Sequence, residues 1–520
     1  PMINLETSSA GDIPAAETSQ ASKKHVRGST LLLVGRLISM VANFVMQVLI
    51  VRYLTKNDFG AFAYGLSIVS LGTQFTLLGL DKTITRFVPI YQEQQNYNKV
   101  FGAILLMAGT ISTLGLGLVL LMVGFKDWLG QTLVKDALTL NLLVLIIALV
   151  PVRAFDQLFL GLFTVFSNPR AIFFRKYLMA PGLQLAVVIL LVVGNSNVFF
   201  LVGGYVVAGL LGIIFYIVLL LHNLQQQGLL RHFVPRTIQM PVREIFGFSL
   251  PLMMSGSVHV VRGALVIMFL QHFHPTSEVA NFRAVMPVGE LNMLVYQSFT
   301  ALFMPAAARM FARKEWSGIN DLYWQTAIWI AVISFPILML TFSLAQPLTT
   351  LLFGDRYASS AIILALLSLG YYFNAGLGFN NYTLRVFGKV RYIFIADLIV
   401  TVATIVVYWM VIPRYGALGA ALATTGTLIA QNLFYQIGLK RETNVSFFQW
   451  RYLRVYLTII AGAAGMALLQ LFLPLPIYAD FGIAALISLL ILRINHQALN
   501  VRETFPEILR LPLVHRFFGK

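Results

Sequence analysis

The chain has 520 residues, of which 58% are hydrophobic and 11% are charged. Because a water-soluble domain has a charged share of about a quarter, this composition excludes a soluble enzyme. The net charge of +17 does not indicate a nucleic-acid partner, because the basic residues lie in short connectors beside apolar segments, where membrane orientation and anionic lipid head groups account for them. The sequence has no cysteine, which excludes disulfides and thiol chemistry.

Residues 1–28 predict a disordered cytoplasmic tail, because they are polar, lack a hydrophobic signal core and end in basic residues. Fourteen apolar segments of about twenty residues follow, the length that a helix needs to cross a bilayer. The sequence therefore predicts an all-α polytopic membrane protein with 14 transmembrane helices. These spans are placed at 29–54, 60–80, 100–125, 138–166, 171–194, 198–221, 244–271, 284–307, 322–345, 359–383, 392–412, 416–438, 453–473 and 475–492.

The 37 basic residues orient these spans. If the N-terminus is cytoplasmic and basic residues near a span end are assigned to the adjacent connector, 27 of them fall on the cytoplasmic side, 7 fall on the opposite side and 3 remain within spans, namely Arg36, Arg153 and Arg262. Since a missing span would invert every later loop, this bias supports the orientation. We therefore expect a multi-pass protein of the inner, cytoplasmic membrane with both termini cytoplasmic. Four tryptophans near span ends are expected at the membrane interfaces, namely Trp128, Trp324, Trp409 and Trp450.

The chain contains an internal duplication. Five of ten residues are identical between the connectors Val165–Phe174 and Val386–Ile395, at an offset of 221, and an offset of 220 aligns Asp58 with Glu278. Both halves have an even number of spans and enter the membrane in the same orientation, so their pseudo-two-fold axis is expected along the membrane normal. The predicted organisation is two pseudo-symmetric six-helix lobes plus two C-terminal helices: an N-lobe of spans 1–6 (29–221), a cytoplasmic linker (222–243), a C-lobe of spans 7–12 (244–438), spans 13 and 14 (439–492) and a basic cytoplasmic tail (493–520).

Ionisable residues within spans are the first candidates for function, because each costs at least about 2.5–3.5 kcal/mol on insertion scales. Polar side chains also form stripes on one face of spans 1, 2, 7 and 8. Since a polar stripe must face protein or water, we expect a hydrated, positively charged cleft between the lobes, lined by these four spans. The ionisable residues are Arg36, Arg153, Asp156, Arg262, Glu290 and Asp397.

Structural interpretations stay open for several of these side chains. The guanidinium of Arg36 can extend to the cytoplasmic surface along its own alkyl stem. Arg153 and Asp156 are spaced i, i+3 in span 4, as expected for a local ion pair at a kinked helix. His259 in span 7 is either a neutral, hydrogen-bonded helix contact or part of a substrate or proton path.

Two carboxylates within predicted spans, Asp397 and Glu290, require a basic or hydrogen-bonding partner. Asp397 lies one turn from the cytoplasmic end of span 11, where Lys389 or Arg391 can pair with it. Glu290 in span 8 has only Arg283 on its own helix face, two turns away. We therefore expect Glu290 to pair with a residue of another helix, such as Arg262, in some conformations of the protein.

Motifs for catalysis are absent from the sequence. There is no Gly-Lys-Ser/Thr phosphate loop, no Gly-x-Gly-x-x-Gly and no His-Glu-x-x-His. The outward connectors are also too short for a folded catalytic domain. We therefore expect a protein that is not an enzyme and has neither a cofactor nor a metal site, so that any transport is driven by an ion gradient, the membrane potential or the substrate gradient.

The segments Arg52–Leu71 and Leu78–Tyr91, together with the repeated connector pattern, resemble the polysaccharide exporters, or O-antigen-type lipid-linked oligosaccharide flippases, of the multidrug/oligosaccharidyl-lipid/polysaccharide superfamily. The resemblance covers residues 28–492. It implies a V-shaped pair of lobes, alternating access and translocation of a polyprenyl-diphosphate-linked glycan from the cytoplasmic to the outer leaflet. The related peptidoglycan-precursor flippases have an arginine-rich first span, whereas this region has only Arg36 and Arg52, which disfavours that substrate.

If the substrate is a polyprenyl-diphosphate-linked glycan, as the resemblance implies, the polar residues of the spans have expected roles. Arginines suit phosphate oxygens through forked, charge-assisted hydrogen bonds, amides exchange hydrogen bonds with sugar hydroxyls, and tyrosine rings stack on sugar faces. We assign the diphosphate to Arg36, Arg262, Arg52 and Arg283, the glycan to Asn43, Gln47, Gln74, Gln297, Asn374, Tyr371 and Tyr372, and coupling or gating to Glu290, His259, Asp156, Arg153 and Asp397.

Two rival functions remain from the sequence. A cation-coupled multidrug exporter of the same superfamily needs an acidic pocket, and a membrane-embedded glycan polymerase or ligase needs a large outward loop. The expected partners are the lipid-linked glycan and membrane lipids, with a glycan polymerase or ligase as a candidate protein partner, and the expected oligomeric state is a monomer.

Overall fold

The structure, a computed structural model, describes residues 15–132, 134, 136–166, 172–443, 445–473 and 475–500. Parts of the predicted tails, residues 1–14 and 501–520, lie outside the described residues, as do Lys135 and the connector residues 167–171. The described part is all-helical and contains no strand, which confirms the predicted fold class.

Twenty α-helices follow one another in the described residues. They are α1 (Ala15–Tyr53), α2 (Lys56–Leu77), α3 (Leu80–Glu93), α4 (Tyr97–Gly124), α5 (Lys126–Thr132), α6 (Ala137–Ile146), α7 (Leu149–Val165), α8 (Ala180–Val193), α9 (Val198–Gln226), α10 (Val242–Phe273), α11 (Thr276–Glu290), α12 (Leu294–Ala312), α13 (Trp316–Leu338), α14 (Ala345–Phe353), α15 (Ala361–Gly376), α16 (Asn380–Val386), α17 (Val390–Glu442), α18 (Leu453–Phe472), α19 (Ile477–Ile494) and α20 (His496–Leu499). Helix α1 thus begins within the stretch that was predicted as a tail.

Three irregular segments interrupt this helical chain. π-Helical turns at Phe173–Met179 and Met339–Ser343 precede α8 and follow α13. Within α17, Gly416 has φ 54° and ψ −131°, a left-handed conformation that glycine adopts without steric cost. This residue divides α17 into two halves, which correspond to predicted spans 11 and 12.

Eleven helices or helix runs of the described part are long and apolar enough to span a membrane, or twelve if the two segments of α10 form one bent span. This number of long, apolar helices supports a multi-pass membrane protein. The 53-residue run Val390–Glu442 counts once although it contains two predicted spans. Predicted span 8 falls in α11 and α12, which are outside this apolar set. The number of 14 spans therefore stays a prediction.

The helices group into two compact units. The first contains the residues up to Met46, Phe75–Val119 and Ala148–Pro251, and the second contains Gln47–Gln74, Leu120–Ile147 and the residues from Leu252 onward. Parts of the predicted N-lobe thus belong to the same unit as the predicted C-lobe. The division into lobes at 221 and 244 stays a prediction.

Each unit has its own hydrophobic core. In the first, buried faces of α3, α4, α7 and α9 meet, as shown by the buried Ile84, Met107 and Phe163. In the second, the core is built around α13, which packs against α12, α15, α18 and α19.

The sequence predicted an interfacial side chain for Trp324, and this prediction is wrong. Its side chain is fully buried and Nε1 donates to Ser446 Oγ at 2.9 Å, because α13 is surrounded by other helices along most of its length. The remaining three, Trp128, Trp409 and Trp450, are 55%, 64% and 77% exposed, as an interface position requires.

Candidate functional site

A cavity of about 300 Å³ lies within the second unit, between α10, α11, α12, α15 and the second half of α17. On α17 its wall is one helix face, since the lining residues are spaced i, i+3, i+4 and i+7. The polar stripes of predicted spans 7 and 8 reach this cavity. The residues predicted for the site that line it are His259, Arg262, Glu290, Gln297, Tyr371 and Asn374, and α17 contributes Thr424, Thr427, Leu428 and Gln431.

Arg262 is the main basic group of this wall. Its side chain is only 7% exposed, Nη2 donates to Gln431 Oε1 at 3.1 Å, and Nη1 has no hydrogen-bond partner. None of the ion pairs among the described residues includes Arg262. A buried donor without a partner costs about 1–3 kcal/mol and more when it is charged, so this guanidinium is suited to receive an anion.

A hydrogen-bond relay connects Arg262 to a carboxylate. The Gln431 side chain accepts from Arg262 through Oε1 and donates through Nε2 to Asp397 Oδ1. The Tyr435 hydroxyl also donates to Asp397 Oδ1. Gln431 therefore lies between the buried guanidinium and the half-buried carboxylate and satisfies one atom of each.

The partners expected for Asp397, Lys389 and Arg391, are wrong. Lys389 pairs instead with Glu442 at 2.8 Å. The physical reason is the break at Gly416, because the second half of α17 folds back and brings Gln431 and Tyr435 beside Asp397.

The opposite wall carries the acidic and amide groups. The Tyr371 hydroxyl donates to Glu290 Oε1 at 3.1 Å. The Asn374 side-chain oxygen accepts from Asn432 Nδ2 at 3.0 Å, and Asn432 is fully buried. Asn374 is thereby fixed with its amino group near Met293 Sδ, 3.8 Å away, on the cavity side. Sequence reasoning missed Asn432, because nothing in its own helix signals a partner on α15.

Several residues predicted for the site lie outside this cavity. Tyr372 is buried on the other side of α15 and its hydroxyl donates to the Ala331 carbonyl at 2.7 Å. Gln74 Nε2 donates to Ser257 Oγ at 3.3 Å. Arg283 contacts Met286 Sδ through Nη1 at 3.5 Å and is not among the residues that line the cavity. Gln47 is half-buried on α1.

Arg52 belongs to a contact between two helix ends. Its Nε donates to the Leu352 carbonyl at 2.7 Å and its Nη2 to the Leu351 carbonyl, at the end of α14. In return, Arg356 Nη2 donates to the carbonyls of Val51 and Arg52 at the end of α1. Each arginine thus satisfies carbonyls that a helix C-terminus leaves without a partner.

The predicted residues of the first unit lie around a second cavity or on α1. The second cavity measures about 430 Å³ and is lined by Asp81, Asp156, Lys176 and Tyr216 among others. Arg153, one turn before Asp156, acts electrostatically on the same carboxylate. On α1, Arg36 is exposed and Asn43 Nδ2 donates to the Ser39 carbonyl at 2.8 Å.

Arg175 is the charged residue of this unit that sequence reasoning missed, because it lies near the start of predicted span 5 and was counted with the basic residues of the connector before that span. Its side chain is buried, its Nη2 is 2.7 Å from Asp156 Oδ1, and its guanidinium lies over the Tyr216 ring at 5.2 Å. Gly212 on α9 leaves the space that the guanidinium fills, since a Cβ there would be 2.0 Å from Arg175 Nη2.

Comparisons with known proteins agree with this architecture. A family model described as polysaccharide biosynthesis protein matches residues 25–311. The capsular polysaccharide biosynthesis protein CapF of Staphylococcus aureus is 24% identical over 199 residues, which is 38% of this chain and 50% of that protein. The chain thus matches about half the length of this curated relative. An uncharacterized membrane protein of Methanocaldococcus jannaschii is 20% identical over 419 residues, 77% of this chain and 81% of that protein.

Solved structures show the same fold. A lipid II flippase, MurJ, in an inward closed conformation superposes with a TM-score of 0.69 at 15% identity, covering 91% of this chain and 100% of that one. An inward-facing multidrug resistance transporter of the MATE family, in the MOP superfamily, superposes with a TM-score of 0.62 at 12% identity, covering 80% and 98%.

Proposed function

The chain belongs to the polysaccharide biosynthesis protein family, and on this basis we propose that it moves a polyprenyl-diphosphate-linked oligosaccharide from the cytoplasmic to the outer leaflet of the inner membrane. The observation that carries the proposal is the buried Arg262, which lines a cavity that also contains amide and hydroxyl side chains and has one guanidinium nitrogen without a partner. In this proposal the protein is not an enzyme, and both of its termini are cytoplasmic.

The chemistry of the cavity fits this substrate. Sugar hydroxyls and phosphates cannot cross hydrocarbon unaided, because each unpaired polar group costs kilocalories and each charge far more. Arg262 offers charge-assisted hydrogen bonds to a phosphate, while Tyr371, Asn374 and Gln297 offer hydrogen bonds to hydroxyls. We also propose Arg36, on the polar stripe of predicted span 1, as a phosphate-binding residue. The lipid tail stays in the bilayer.

We assign to Glu290 the coupling of transport to a proton or sodium gradient. Its carboxylate and the guanidinium of Arg262 line the same cavity, and its partner is the Tyr371 hydroxyl, a bond that can be exchanged as the protein alternates between its two accessible states. Glu290→Gln is therefore expected to change how transport depends on pH and on sodium. A Glu290→Gln protein with the wild-type dependence on both would remove this role.

The proposal is tested with Arg262→Ala and Arg262→Lys, and with the same pair at Arg36. Arg391→Ala is the matched control, because Arg391 is an exposed arginine of the connector between predicted spans 10 and 11. The Ala variants are expected to abolish glycan export and to trap the lipid-linked precursor on the cytoplasmic face at unchanged protein level. Full export in the double Arg36→Ala, Arg262→Ala variant would reject the proposal.

The second candidate is a multidrug exporter, which the shared fold with a MATE transporter favours. A cationic drug requires an acidic cavity, whereas this one has Arg262 and His259 beside Glu290, the one carboxylate among the described residues that line it. We expect a deletion strain to keep its resistance to a panel of cationic drugs. A broad loss of resistance with normal glycan export would favour the exporter.

A further inference from the structure

A separate polar cavity of the second unit, about 780 Å³ in volume, lies at one end of predicted spans 13 and 14. Helix α18 begins there at Leu453, and α19 ends there at Ile494. The cavity therefore lies where two apolar helices leave the membrane. Trp450 beside it is 77% exposed, as expected of a tryptophan at the membrane interface, where this residue is enriched.

The walls of this cavity are held by hydrogen bonds between three helical segments. Gln325 of α13 donates through Nε2 to the Leu499 carbonyl at 2.9 Å and accepts from the Tyr452 hydroxyl at 3.1 Å. Asn495 Nδ2 donates to Thr458 Oγ1 at 2.9 Å. Because these polar groups are used within the protein, the shape is fixed before any ligand binds, which lowers the entropic cost of binding.

Two arginines remain for a ligand. Arg451 lies over the Tyr452 ring at 4.7 Å and its Nη2 is 3.0 Å from Asp321 Oδ1. Arg454, one turn further along, is exposed and makes no hydrogen bond or ion pair within the described part of the chain. With Asp321 as the only carboxylate of the described wall, the cavity carries a net positive charge.

We propose that this cavity binds the phosphate of an anionic glycerophospholipid, with Arg454 and Arg451 on the phosphate oxygens and Gln497 beside the polar head group. Arginines bind phosphate through charge-assisted, often bidentate, hydrogen bonds. A lipid is favoured over a free phosphate as the source, because the cavity lies at head-group level beside apolar helices that accommodate acyl chains. The predicted cytoplasmic leaflet is also the one whose anionic lipids attract basic side chains. This proposal does not depend on the transported substrate.

The test uses the full-length protein in detergent. Its thermal unfolding is followed while phosphatidylglycerol, phosphatidylcholine with the same acyl chains, or inorganic phosphate is added. A ligand that binds only the folded protein raises the unfolding temperature, and the rise grows with the ratio of the free ligand concentration to Kd. Arg454→Gln and the double Arg451→Gln, Arg454→Gln variant are compared with Arg243→Gln, which removes an exposed arginine of the first unit.

Phosphatidylglycerol is expected to stabilise the wild type more than phosphatidylcholine does, and Arg454→Gln is expected to weaken its apparent affinity about ten-fold, the effect of one lost hydrogen bond to a charged group. The Arg243→Gln protein should match the wild type. Because Arg451 also pairs with Asp321, the single variant decides the result if the double variant unfolds early. Equal responses to both lipids, or an unchanged response in Arg454→Gln, overturn the site, and a full response to inorganic phosphate alone overturns the lipid as its source.

Discussion

The pocket that Gly212 provides for Arg175 leads to the sharpest structural prediction. Gly212→Ala places a Cβ 2.0 Å from Arg175 Nη2 and 2.3 Å from Cζ. The guanidinium is the flexible end of its side chain, but it cannot move without lengthening its 2.7 Å bond to Asp156 and leaving the Tyr216 ring. We therefore expect the substitution to break the buried ion pair.

The magnitude follows from the burial of the two partners. Breaking a fully buried pair costs about 3–5 kcal/mol. The Asp156 side chain is 34% exposed, so water screens part of the interaction, and about 2–3 kcal/mol remains as an order-of-magnitude figure. Alanine in a helix gains about 1 kcal/mol over glycine. The net loss of stability expected for Gly212→Ala is therefore about 1–2 kcal/mol.

Gly203→Ala is the matched control. It lies on the same helix, α9, but a Cβ there has no atom within 4 Å, so only the gain in helix propensity is expected. The unfolding temperature of the purified protein is the measurement. In an Arg175→Met background the cost of Gly212→Ala should fall, since the pair is already absent. Equal unfolding temperatures for Gly203→Ala and Gly212→Ala would refute the reasoning.

Three further predictions follow from the second unit. Gln431→Leu removes hydrogen bonds to a buried guanidinium and a half-buried carboxylate, which should cost about 2 kcal/mol and lower the unfolding temperature; an unchanged value would show that the relay is replaced by water. Tyr372→Phe should lower stability by about 1 kcal/mol without affecting export, whereas Tyr371→Phe should impair export with little effect on stability, and the reverse pattern contradicts the site. Arg356→Gln should loosen the contact between the ends of α1 and α14, so that a cysteine at Val51, which is fully buried, becomes accessible to a maleimide; continued protection would show that the arginine is not needed there.

Four of the predicted site residues that line the cavity of the second unit share one property. His259, Arg262, Glu290 and Gln297 lie on polar stripes of otherwise apolar helices, and such a stripe has few acceptable environments in a membrane. The cavity of the second unit brings these four together. A polar stripe does not indicate which other helix packs against it, so the sequence did not predict that Gln431 of α17 contacts Arg262.

The sequence by itself indicated a membrane protein of the all-helical class. It also contained the duplicated connectors and a set of polar residues that require protein or water around them. Only the tertiary structure decided the partners: Asp156 with Arg175, Asp397 with Gln431 and Tyr435, and Trp324 with Ser446. The physical reason is that periodicity along one helix reports which face is polar or apolar, whereas the identity of a partner depends on how distant segments pack, and a single glycine at position 416 redirects half of a helix.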